Sequence, residues 1–109
     1  MVDIPKQVNY WKQSVQEDFE AAVQLIDWGK IRHGLFFAHL SLEKLLKAAI
    51  CQNTQQMAPR IHNLVRLLEI SGLNPPDTIF NFLAEMNTFN LEGRYPVPVY
   101  QSTDRTSNP

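Results

Sequence analysis

IRHGLFFAHLSLEKLLKAAICQN, residues Ile31–Asn53, is the stretch on which the fold turns. Plotted at helical spacing, Leu35, Ala38, Leu42, Leu45, Leu46 and Ala49 form one apolar stripe, with His39 and Ile50 at its edge. Phe36, Phe37 and Leu40 lie off that stripe, on the side that carries Glu43, Lys44 and Lys47 one to two turns later. The first half is thus apolar nearly all round and the second half is amphipathic. A helix with this pattern belongs at the centre of a bundle or at a subunit interface. Glu43 and Lys47 stand four apart in the favourable order, which adds about 0.2–0.5 kcal/mol to the helix.

Outward from this helix, the apolar residues Trp11, Val15, Phe19, Ala22, Leu25 and Ile26 recur every three to four positions, with Lys12, Gln16, Glu17, Glu20 and Gln24 on the other face. The spacing predicts a first helix over Tyr10–Trp28, capped by Asn9 and stopped by Gly29, with a loose arm over Met1–Val8. The short link to the central helix makes the two an antiparallel hairpin. After the loop at Thr54–Pro59, Ile61, Leu64, Val65, Leu67 and Leu68 predict a short third helix ending at Gly72. The run Asn74-Pro75-Pro76-Asp77 is a helix start, opening a fourth helix to about Asn90 with Ile79, Phe82, Leu83 and Met86 inward. No stretch alternates as a strand. Pro96, Pro98 and Pro109 exclude a long helix at the end; Tyr95, Val97, Val99 and Tyr100 are apolar enough to lie against the body, and the polar segment 101–109 is expected to be flexible.

Composition bounds the rest. With 109 residues, 44% hydrophobic and 19% charged, the chain supports one core, here residues 1–100, and not two. No apolar run reaches membrane-spanning length and the amino terminus lacks a leader pattern, so a cytoplasmic location is expected. The single cysteine, Cys51, excludes an internal disulfide and a CxxC metal site, and reads as a small buried hydrophobe. A net charge of −1 gives no general attraction for nucleic acid and no signal for DNA. His33 and His39 are six apart, which does not place both on one helix face for a metal, and no HExxH, phosphate-loop or GxSxG pattern occurs. No metal and no cofactor are expected, and no catalytic carboxylate pair stands out. His39 reads as a core-edge histidine bonded to a neighbouring helix. Lys44, Lys47, Arg60, Arg66 and Arg94 sit beside apolar or aromatic residues; they are either solvated faces with single salt bridges or a groove that holds phosphates with Tyr95 stacked on a base.

Three segments, AHLSLEKLLKAAI at 38–50, PRIHNL at 59–64 and GRYP at 93–96, together resemble the HEPN family of small helical domains, in the family's order and at about its spacing. The resemblance covers roughly residues 10–100. It implies an up-and-down bundle of four to five helices, usually a homodimer, often accompanying a minimal nucleotidyltransferase in prokaryotic toxin–antitoxin or defence modules. Other members bind nucleotides, and some are metal-independent ribonucleases in which an arginine is followed after four to six residues by a histidine. Here Arg32 is followed by His33 and His39, Arg60 by His62, and Arg94 by no histidine; none of these is read as that motif, which favours the non-catalytic, binding branch. Carried over residue by residue, Lys44, Lys47, His62, Arg94 and Tyr95 are the candidates for a nucleotide or phosphate, and Glu43, Asn63 and Pro96 for motif architecture. The family's usual last helix is replaced by the proline-containing tail, so a second copy or a partner protein is expected to cover that surface through Phe36, Phe37 and Leu40. The expected function is binding of a nucleotide, RNA or a nucleotidyltransferase partner. Two alternatives stay open: a ribonuclease toxin using His62 or His39 with Arg94, and a purely structural dimerisation protein with a buried Arg94–Glu43 pair.

Overall fold

The computed structural model describes residues 3–94, with side chains described to residue 89. Four helices account for the fold in the order α1 (Ile4–Asp27), α2 (Ile31–Thr54), α3 (Leu64–Ser71) and α4 (Asp77–Arg94). The protein is an all-α up-and-down bundle, and α2 is its axis. One side of α2 takes α1 in a long antiparallel hairpin, another takes α3 and α4, which also touch each other. None of the four helices is long and apolar enough to cross a membrane.

α1 begins six residues earlier than the spacing of its apolar residues suggests. Asp3, in extended backbone, accepts the Lys6 backbone N–H at 3.1 Å and caps the helix, and Pro5 occupies the first turn, where its missing N–H costs nothing. The supposed arm is therefore helical from Ile4. Ile4 and Val8 are buried with Ala48 and Cys51 of α2, and Trp11 packs at the edge of the same cluster. Asn9 is an ordinary exposed helical residue.

The hairpin turns at Trp28–Lys30, where Gly29 takes a left-handed φ of 82° that suits glycine. Just beyond it the helices cross closely. A Cβ on Gly34 would lie 2.5 Å from Ile26 Cγ1 and 3.0 Å from the Ala22 carbonyl oxygen, so the absence of a side chain sets the interhelical distance. Ser41 donates to the Val15 carbonyl at 3.1 Å further along the seam.

On its other side α2 contributes Leu46 and Ile50 to the main core, with Leu64, Leu67 and Leu68 of α3 and Leu83 and Met86 of α4. α3 starts at Leu64 rather than Ile61, because Asn63 is its cap: the side chain accepts the Arg66 N–H at 3.0 Å. It also accepts from Asn87 of α4 at 3.1 Å, while Asn87 Oδ1 takes the Leu64 N–H at 2.7 Å. α4 runs past Asn90 to Arg94.

Several expected core residues lie elsewhere. Leu45, assigned to the core stripe of α2, is 49% exposed, and Phe19, Ile79 and Phe82 are 55%, 46% and 47% exposed. The buried set on α2 instead includes His39, Ser41, Glu43 and Lys47. A helix with neighbours on two sides must bury part of its polar face, and a single-stripe wheel does not anticipate that. Phe36, Phe37 and Leu40, expected to cover a docking surface, are partly buried, with the two phenyl rings edge to face at 5.6 Å. The expected C-terminal tail, at 95–109, lies outside the described residues.

Candidate functional site

The polar residues singled out from the sequence fall into three places. The first is a cluster around Glu43, half-way along α2. Lys47, one turn on, donates to Glu43 Oε2 at 2.9 Å, and the His62 Nδ1 lies 2.8 Å from the same oxygen. At that distance from a carboxylate, Nδ1 carries the proton. His39, one turn back and fully buried, has its Nδ1 3.8 Å from Glu43 Oε1. Lys47 Nζ also stands 5.7 Å from the centre of the Trp11 ring on α1. One carboxylate thus ties α2 to the loop before α3, and its lysine partner ties α2 to α1.

Burial sets what this cluster can do. Glu43 and Lys47 are 4% and 6% exposed. Opposite charges taken this far out of water hold their positions only by pairing with each other. The His62 side chain, 45% exposed, is the member that faces solvent.

The second place is the α1–α2 seam, where Lys44 Nζ lies 2.7 Å from Asp18 Oδ2, with both side chains largely covered. The third is the α3–α4 junction, where Asn63 serves as cap and clasp as described above. Lys44 and Lys47 are each engaged by a carboxylate, Asp18 and Glu43 respectively, and both face α1, the second through the Trp11 ring. Arg66 is exposed and pairs with Glu69 at 3.2 Å, and Arg60 is exposed in the loop before α3. Arg94 ends α4 with its side chain outside the described set, and Tyr95 and Pro96 lie outside the described residues. Lys47 and His62 both meet Glu43 Oε2, whereas the buried Oε1 accepts no hydrogen bond among the described residues; the pairing with Arg94 considered from the sequence falls on a side chain outside the described set.

Arg32 and His39 require a correction. Six residues separate them, so they meet the outer limit of the ribonuclease spacing, which the sequence reading did not grant to any pair. Seven positions along a helix is about 10 Å of rise. Arg32 is exposed in the first turn of α2, whereas His39 has no accessible surface. With the imidazole enclosed in this way, the two side chains do not present themselves to one phosphate. Among the described residues no three His, Cys, Asp or Glu side chains group as a metal site.

Sequence reasoning passed over the turn between α1 and α2. Trp28 is 65% exposed there, followed by Lys30, Arg32 and His33, all exposed and none ion-paired among the described residues. The signal was present in the string WGKIRH at 28–33, an aromatic and three potentially cationic side chains at a helix break. Gly29 reads there as a stop signal, and Arg32 and His33 enter only the metal and ribonuclease spacings, apart from Trp28.

The family model described as HEPN domain matches residues 8–108. No curated protein and no solved structure matches the chain significantly.

Proposed function

The chain belongs to the HEPN domain family, and from that premise we propose that it is a non-catalytic binding module that docks a minimal nucleotidyltransferase as its protein partner, within a prokaryotic toxin–antitoxin or defence-like pair. One observation carries this reading. The motif charges close on each other inside the bundle, Lys47 and His62 on Glu43, and Lys44 separately on Asp18. A phosphate would have to displace a carboxylate at each lysine, against the cost of leaving that carboxylate buried without its cation. The motif is therefore a frame, and binding is left to the outer surface.

The test is co-expression of the chain with a neighbouring-gene nucleotidyltransferase, followed by affinity purification and measurement of the stoichiometry. A fixed-ratio complex is the expected result. Thermal melts with ATP, GTP and a short single-stranded RNA run alongside. A nucleotide-specific rise in melting temperature, with no complex formed, would overturn the reading.

A second reading, RNA binding, is favoured by the α1–α2 turn. An exposed indole beside Lys30 and Arg32 is a stacking platform with phosphate ligands next to it. A melting shift with RNA that Trp28→Ala and Arg32→Ala both remove would select it.

A further inference from the structure

The four helices leave one side of α2 uncovered, and unexpected exposures fall around it. α1 packs on α2 alone among the described elements, so a gap separates α1 from α4. Ile26 of α1 meets the position above Gly34 on the side of the gap, and Phe19 and Val23, seven and three residues before it, share its face. Across the gap, Asn87 holds one flank of α4 to α3, and Phe82 projects from the opposite one. The floor between these walls is α2 itself, from Gly34 through Ala38 to Leu45, which lines an apolar groove of about 340 Å³ with Leu73, Ile79 and Leu83. Phe19, Val23, Ile26, Leu45, Ile79 and Phe82 are between 38% and 55% exposed.

The direction of α4 decides what can reach this trough. Near its start, Ile79 and Leu83 lie beside Leu45, Leu46 and Ala49, and further on Phe89 joins the core on which Ala38 also packs. The helix therefore runs back toward the amino-terminal end of α2, and Arg94 ends it at the mouth of the trough. The six residues that follow, Tyr95-Pro96-Val97-Pro98-Val99-Tyr100, lie outside the described set. All six are apolar or aromatic, and the next charge is Asp104.

We infer that residues 95–100 close the trough as a strap in the polyproline conformation, running along α2 between α1 and α4. The reach matches: at about 3.1 Å per residue the six span about 19 Å, against about 16 Å of helical rise from Gly34 to Leu45. The chemistry matches as well. Proline-rich segments seat in aromatic-lined grooves, and Phe19 and Phe82 stand half-exposed on the two walls. Pro96 and Pro98 carry no N–H, so the strap brings two fewer donors to walls made of helices whose own backbone groups are already paired. With three residues per turn, six apolar side chains point all round and meet the floor and both walls. Among the described residues no charged side chain lines the groove, and an uncharged strap leaves none unpaired. Attachment to α4 supplies an effective concentration on the order of millimolar, and the prolines leave little freedom to lose, so a modest contact suffices. A separate chain has neither advantage. Any partner that uses this face must first displace the strap.

The experiment is nuclear Overhauser spectroscopy of the full chain with labelled valine methyl groups, repeated on a mixture of labelled and unlabelled copies to assign each contact within or between chains. Val97 and Val99 are expected to contact the Phe19 and Phe82 rings of their own chain. In Phe82→Glu, which sets a charge against the uncharged strap, those contacts are lost and both valines move to the shifts of an unstructured chain, while the helical circular dichroism is kept. Should that variant fail to fold, Phe19→Glu on the other wall takes its place, and the wild-type contacts decide without either. Contacts to other faces only, contacts between copies only, or no contacts at all overturn the inference. So do valine signals that stay unchanged in the folded glutamate variant.

Discussion

Removing the Glu43 carboxylate is the perturbation that most directly separates a structural frame from a ligand site. In the Glu43→Ala protein Lys47 keeps its place against Trp11 but loses its anion, and it is 6% exposed, too enclosed to be rehydrated without moving α1 or the loop before α3. Breaking a buried pair from one side costs about 3–5 kcal/mol. Losing the bond to the half-exposed His62 adds no more than about 1 kcal/mol, since that side chain can turn to water. A chain of 109 residues has about 5–15 kcal/mol of total stability, so the variant should lose about a fifth of it or more. Urea unfolding followed by circular dichroism would show this as a midpoint lowered by roughly 2–3 M at the slope usual for this size. The double variant Glu43→Leu/Lys47→Met removes both charges and fills the same space, and it should recover most of the loss. A single variant that costs less than about 1 kcal/mol, or a double variant no better than the single, would refute the view that the pair is closed and structural. Such a result would return Lys47 to the list of ligand residues.

Three smaller predictions follow from contacts already described. Gly34→Ala pushes a methyl group into Ile26 and against the Ala22 carbonyl, and should lower stability by about 1–3 kcal/mol, read by thermal unfolding. Asp3→Ala removes the α1 cap and should cost about 1 kcal/mol, with faster amide exchange confined to residues 4–8. Asn63→Ala removes both the α3 cap and the clasp to Asn87, and should cost about 1–2 kcal/mol, more than Asn63→Asp, which retains the acceptor.

Element type was readable wherever one side of a helix faces the core. α3 has a single dominant stripe, and its assignment needs nothing beyond a 3.6-residue period; α2 is legible as a helix by the same period, but not which of its sides are buried. The start of α1 was not readable in the same way, because Pro5 looks like a break unless the cap at Asp3 is credited, and because Ile4 and Val8 bury against Ala48 and Cys51, far away in the sequence. The candidate site was legible in its membership but not in its chemistry. Glu43, Lys47, His62 and Asn63 all appear where the structure puts polar contacts to use. What periodicity does not contain is who pairs with whom. The Lys44 partner, Asp18, is 26 positions away on another helix, and the Glu43 partner His62 is 19 positions away across a loop.

The distinction bears on how a family motif of charged residues should be understood. Glu43, Lys44 and Lys47 lie within five positions of one helix, and on a surface helix they would be a solvated patch open to any anion. On α2 they are enclosed by their neighbours: Lys44 meets Asp18 and Lys47 the Trp11 ring, both on α1, and Glu43 meets His62 of the loop before α3. Each charge so enclosed must find an opposite charge or a strong hydrogen bond within reach. Glu43 meets that demand for Lys47 and supplies an acceptor to His62, and Asp18 meets it for Lys44. The same demand explains why the apolar residues behave in the opposite way. Leu45, Ile79 and Phe82 carry no such requirement, so they can stay half-exposed beside the open side of α2 without an uncompensated charge or orphaned polar group. Polar closure inside and apolar exposure outside are thus two consequences of one arrangement, a central helix with one side left open.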